Sequence, residues 1–215
     1  MKALFKFGII ISLISISGCE TTGGAIGGLF PAPKFLEGEI KNNIYTAKDS
    51  LFSISIPHPE GSYEYKYMQV KEQFKNSEAY VSFGPAAFNK SIYRVHVIVH
   101  PDSGKKTVPL DKAAPQVIES YKQQMHKHYG TNPKIQETKI IKINNNKTYY
   151  WKLSQDIPAG KYINNSKAIF NHHIYVIDYK IAAGIMWVRI PEDTGPRGGA
   201  LTPNKFAESL SLNIK

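Results

Sequence analysis

From residue 49 onward, short apolar runs with a period of two alternate with polar positions. Phe52, Ile54 and Ile56 alternate with Ser53 and Ser55 until Pro57 ends the run, which is the pattern of a half-buried strand. Tyr63, Tyr65 and Tyr67 alternate with Glu64 and Lys66 and predict a second strand running toward Phe74. Tyr80 to Phe83 predict a third, closed by Gly84-Pro85; Tyr93, Val95, Val97 and Val99 predict a fourth, closed by His100-Pro101. The period then lengthens. Val117, Ile118, Tyr121, Met125 and His128 form one helical stripe over residues 113–129, with Pro115 in its first turn and Gly130 as its stop.

Strands resume at Lys139 to Ile143. Asn144-Asn145-Asn146 predicts a hairpin turn, because Asn tolerates positive φ. Tyr149, Trp151 and Leu153 then share one face. Residues 171–181 and 185–190 predict another hairpin, turning at Ala182-Ala183-Gly184. Thr202 caps a last short helix with Pro203 at its first position, and Leu201 and Phe206 are spaced as a hydrophobic staple. The order is four strands, a helix, about four strands and a helix. Hairpin links favour an antiparallel sheet, so the fold class expected is α+β, with two or more helices packed on that sheet.

This order resembles the PsbP-like α+β sandwich. The residues that carry the resemblance are Leu51-Phe52-Ser53-Ile54-Ser55-Ile56-Pro57, the middle helix, and Phe206-Ala207-Glu208-Ser209-Leu210, over about Asp49 to Lys215. It implies a fold and an accessory or binding role, and no reaction.

The amino terminus has a different character. Lys2 and Lys6 precede an apolar stretch from Phe7 to Ile16, followed by Ile16-Ser17-Gly18-Cys19. A basic start, a short apolar region and small residues at its end make a secretory signal, and the apolar stretch is too short to span a bilayer. The final four residues resemble the bacterial lipobox. That resemblance implies cleavage between Gly18 and Cys19, a diacylglycerol thioether on the Cys19 thiol and acylation of the new amine, for instance by palmitate. Glu20 stands where an Asp would imply inner-membrane retention, so the outer membrane is the expected location, with the domain facing the periplasm. Residues 1–18 are then the signal peptide, 19–38 the lipidated cysteine and tether, and 39–215 the globular domain.

Gly23-Gly24-Ala25-Ile26-Gly27-Gly28, Pro31 and Pro33 favour an irregular tether. As a flexible chain, the segment from Thr21 to Gly38 reaches ~20–25 Å on average. Lys and Arg number 27 against 17 Asp and Glu, a net charge of +10; losing Lys2 and Lys6 with the signal leaves +8. Basicity that survives processing points to an anionic neighbour, either an envelope polymer, a head group or an acidic envelope protein. Export argues against nucleic acid as partner.

Catalytic signatures are lacking in the sequence: it has no G-x-S-x-G, H-E-x-x-H, P-loop or G-x-G-x-x-G. One cysteine excludes an internal disulfide and a multi-cysteine metal site. Among the histidines, His96 and His100 are ~13 Å apart along a strand, His126 and His128 point to different sides of a helix, and His172 and His173 point to opposite faces of a strand. No local metal pair and no cofactor are therefore expected. Arg197-Gly198-Gly199, before the last helix, form a candidate anion-binding loop. Tyr63, Tyr65, Tyr67 and Tyr150 are candidate binding aromatics, in competition with ordinary sheet packing.

The function expected is a non-enzymatic, lipid-anchored envelope module, for example a subunit of an assembly or secretion machine. A hydrolase of cell-wall or lipid material and a periplasmic metal or small-ligand carrier are the alternatives. The anchor is tested by Cys19→Ser, which removes the thioether-forming atom. Incorporation of labelled fatty acid and maturation should both be lost; a variant that labels and matures normally contradicts the lipobox reading.

Overall fold

The computed structural model describes residues 36–75, 77–85, 90–99, 109–161, 167–179, 181–192 and 200–213. Eleven strands and three helices are found among them, in the order β1 (Glu39–Lys41), β2 (Ile44–Thr46), β3 (Phe52–Ser55), α1 (Tyr63–Tyr67), β4 (Val70–Lys75), β5 (Glu78–Phe83), β6 (Ile92–Val99), α2 (Leu110–Tyr129), β7 (Lys134–Ile143), β8 (Asn146–Ile157), β9 (Ala168–Asp178), β10 (Ala182–Pro191), α3 (Pro203–Glu208) and β11 (Ser211–Leu212). They form a four-stranded sheet, β1-β2-β3-β11, and a seven-stranded sheet, β4-β5-β6-β10-β9-β8-β7. Every pairing is antiparallel.

The expected α+β class is therefore corrected to a sheet-rich fold. What covers one face of the large sheet is a second sheet, where helices were expected. Tyr45, Phe52 and Ile54 of the small sheet share a core with Val81, Phe83, Tyr93, Val95, Tyr175, Met186 and Val188 of the large one. Only α2 is long enough to cover the other face. Its Val117, Ile118, Tyr121 and Met125 pack on Trp151, Leu153, Phe170, Ile174 and Trp187. The remaining helices have five and six residues.

The sequence pattern misleads most at Tyr63–Tyr67, which form α1 and not a strand. Ser62 caps it, its Oγ accepting from Tyr65 N–H at 3.1 Å. That cap and Glu64 in the first turn outweigh a period-two pattern only five residues long. The β1–β2 hairpin was unforeseen, though Asn42 and Asn43 turn it with φ of 54° and 63°. The same device, foreseen there, closes β7 to β8 at Asn144 and Asn145, with φ of 49° and 65°. Asn144 Nδ2 also donates to Glu208 O at 2.8 Å, tying this turn to the end of α3.

The β9–β10 hairpin turns earlier than expected: Ala182, Ala183 and Gly184 lie within β10, paired to Val99, Ile98 and Val97 of β6. Helix α2 begins three residues before Ala113, which places Pro115 inside it on the exposed side, and it ends at Gly130 in the left-handed conformation. Thr202 caps α3 as expected.

Phe206 of α3 fixes the chain end to the core between the sheets. It is fully buried, with its ring edge-on to Tyr93 at 5.1 Å and Phe83 at 6.3 Å. Phe206→Ala should lower unfolding free energy by ~3–5 kcal/mol. Urea denaturation at constant slope checks this; a loss below ~1 kcal/mol would show that α3 is not part of the core.

Candidate functional site

The helix-covered face of the large sheet carries an unusual set of polar side chains. In β6, Ile92, Arg94 and His96 point to this face, and in β10 so do Ile185, Trp187 and Arg189. The register opposes Arg94 to Trp187 and Arg189 to Ile92. Arg94 and Arg189 are thus diagonal neighbours, a relation that puts side chains ~7–8 Å apart at their bases. Ile92, Arg94, Trp187 and Arg189, with Tyr121 and Met125 of α2, line a small cleft between helix and sheet. Its enclosed part has room for about one water molecule.

Several of the polar groups around the cleft are held by their neighbours. The Arg189 guanidinium lies over Phe170, 4.5 Å from the ring centroid, and its Nη1 donates to the Tyr129 hydroxyl. Tyr121 Oη and His172 Nδ1 are 2.7 Å apart, which orients the tyrosine toward the sheet. The Trp187 indole stacks on His96, with centroids 6.4 Å apart and planes 19° from parallel. His96 Nε2 in turn approaches Glu78 Oε2 at 3.4 Å, both side chains being buried. Trp187 Nε1–H is buried and has no hydrogen-bond partner among the described residues.

Donors dominate the chemistry of this lining, the Tyr121 hydroxyl being its one polar side-chain group able to accept as well. Two guanidiniums and an indole N–H donate and cannot accept. Such a set fits a small anionic acceptor, a carboxylate or phosphate oxygen. The enclosed space is only about the size of one water, so what meets these donors at the opening is the end group of a larger ligand.

The residues singled out in sequence fare differently. Tyr150 is a core residue: it is buried, its ring lies tilted against Tyr175 at 5.0 Å, and it shares a 2.9 Å hydrogen bond with His173 Nδ1. Burial, with the Glu137 charge adding, pushes its hydroxyl up to about 12. Tyr65 is half-buried against the core between the sheets. Tyr63 is 44% exposed and meets Tyr67, one helical turn on, at 4.7 Å. Gly18, Cys19, Arg197, Gly198 and Gly199 lie outside the described residues, as does His100. His172 and His173 face opposite sides as expected, one toward Tyr121 and the other toward Tyr150. Among the described residues no group of three His, Cys, Asp or Glu is placed to hold a metal ion.

No family model and no curated protein matches the chain. Among solved structures, a protein of Bacteroides thetaiotaomicron VPI-5482 is similar with a TM-score of 0.46 and 10% identity, over 82% of this chain. The chain spans 50% of that protein's length.

Arg94 and Arg189 went unnoticed in sequence. The available signal was a cation inside strands otherwise apolar, Ile185 to Ile190 above all. Charges there are almost never buried without partners.

Two histidines make the fold acid-sensitive. His58 is buried, T-shaped against Tyr93, and burial lowers its pKa, with Glu64 opposing. Burial and then the Lys152 charge push His173 down to about 4, with Glu137 opposing. An unfolded histidine titrates near ~6.5. Between ~6.5 and these lowered values the unfolded chain binds more protons, so stability is complete above the window and lost as pH falls through it. The urea midpoint should therefore drop between pH 7.5 and 5.5, and His58→Phe should flatten the drop. A midpoint independent of pH over that range contradicts the assignment.

Proposed function

We infer that this protein is a lipid-anchored, periplasm-facing module of the bacterial outer membrane that binds an anionic envelope component without transforming it. The lipobox residues Ile16 to Cys19 support the anchor, and the net charge of +8 after processing supports an anionic partner. The observation that carries the reading is the convergence of Arg94, Arg189 and the Trp187 indole N–H on one cleft beneath α2. The Arg189 guanidinium, held over Phe170 and Tyr129, is pre-organised, so little of its side-chain freedom is lost when a carboxylate or phosphate enters.

Co-sedimentation with purified sacculi and with phosphatidylglycerol vesicles tests this. Binding should weaken steeply as the Debye length shrinks from ~30 Å at 0.01 M salt to ~8 Å at 0.15 M. Arg94→Gln should weaken it at least about tenfold, the loss expected for a charge-assisted contact of ~1.5–3 kcal/mol. Binding to neither material at 0.01 M salt, or equal binding by folded Arg94→Gln, contradicts the reading.

A further inference from the structure

The tether meets the domain at a built junction. The Glu72 carboxylate on β4 accepts from Glu37 N–H at 2.6 Å, from Gly38 N–H at 2.9 Å and from the Tyr45 hydroxyl at 2.6 Å. Burial, and then Glu72 itself, hold the Tyr45 hydroxyl well above its usual range, so it stays a donor. Gly38 has no room for a side chain: a Cβ there would lie 2.5 Å from Thr46 O and 2.9 Å from Glu72 Oε1. Lys48 pairs with Glu37 at 2.6 Å. The point where the chain leaves the domain is therefore fixed, on the margin shared by β1 and β4, the edge strands of the two sheets.

Helix α1 adjoins that margin at β4, since only Met68 and Gln69 separate its end from the start of that edge strand. The loop before it is pinned to the β1–β2 turn: Asn43 N–H donates to Glu60 Oε2 at 2.8 Å, and Glu60 N–H to Asn43 Oδ1 at 2.6 Å. Tyr67 precedes Glu72 by five positions, a span of at most ~18 Å. The exposed Tyr63 and its partner Tyr67 are thus within the ~20–25 Å that the tether itself can reach.

We propose that the Tyr63–Tyr67 pair docks into the head-group layer of the bilayer that holds the anchor, so that the β1–β4 margin faces the membrane. This rests on the lipid-anchor part of the reading above and is independent of the anion cleft. Tyrosine favours the boundary where one end of its ring is apolar and the other wet. A short tether raises the effective concentration of the surface to the millimolar range, so a weak contact suffices. Glu60, Glu64 and Lys66 nearby sum to −1, so no basic cluster draws this contact to a head group; it is aromatic and its salt dependence small.

The full chain, coupled through its single thiol Cys19 to a maleimide lipid in phosphatidylcholine vesicles, tests the orientation. Both native tryptophans are buried, so Tyr63→Trp adds an exposed reporter and Ile140→Trp, on β7 at the far edge of the large sheet, a control. Lipids brominated near the head group should quench residue 63 at least twofold and leave residue 140 unchanged, at 0.01 and 0.15 M salt alike. Amides of residues 62–68 in the unsubstituted chain should exchange hydrogen more slowly when anchored than when free. No quenching at 63, equal quenching at both positions, or unchanged exchange overturns the proposal. Absence of fatty-acid labelling at Cys19 in cells would instead remove the anchor reading, since chemical coupling reports the geometry either way.

Discussion

Everything in this fold depends on burying both faces of one sheet. Strand β10 is buried at all ten of its positions, between β6 and β9 at the middle of the large sheet. Its Met186, Val188 and Ile190 enter the core shared with the small sheet, while Ile185 and Trp187 enter the one under α2. A slip of one residue would exchange these sets and drive Arg189 into the apolar core between the sheets. The register is therefore fixed by a charge as much as by apolar area. Phe170 and Tyr129 make that charge tolerable where it is.

The same constraint locates function. With one face closed by a sheet, the arginines of the large sheet lie on the side where a single helix gives partial cover. Arg94, His96 and Trp187 gather there beside Arg189. The covering helix supplies the hydroxyls of Tyr121 and Tyr129 that hold this face in place. The tether is handled separately, at the β1–β4 margin, where one carboxylate ties the incoming backbone to the edge strand. The point where the chain enters the domain and the cleft therefore lie on different parts of the surface, so in the proposed reading a ligand could reach the cleft of an anchored domain.

Much of this architecture was legible in the residues. The long helix, its Gly130 stop, the Asn144-Asn145 turn, the Thr202 cap and the strands around Phe52, Val81 and Val95 follow from period and local chemistry. Tyr63–Tyr67 misled because a five-residue alternation also fits a single helical turn, and the Ser62 cap decides between them. The β1–β2 hairpin was missed because its strands have three residues each, too short to show a period. The fold class went wrong for the same reason: without those strands, helices were the only cover left for the sheet. The cleft was hidden because it is made by register. Nothing in sequence places Arg94 beside Trp187 until β6 and β10 pair.

The central claim is that an anion enters beside the Trp187 indole. The chain has two tryptophans, so its two indole N–H resonances can be followed separately while inorganic phosphate or acetate is titrated in. The account predicts that the Trp187 signal moves downfield and saturates, that of Trp151 stays in place, and the shift is lost in Arg94→Gln. A Trp187 resonance that stays fixed up to high anion concentration, or moves together with that of Trp151, would contradict it.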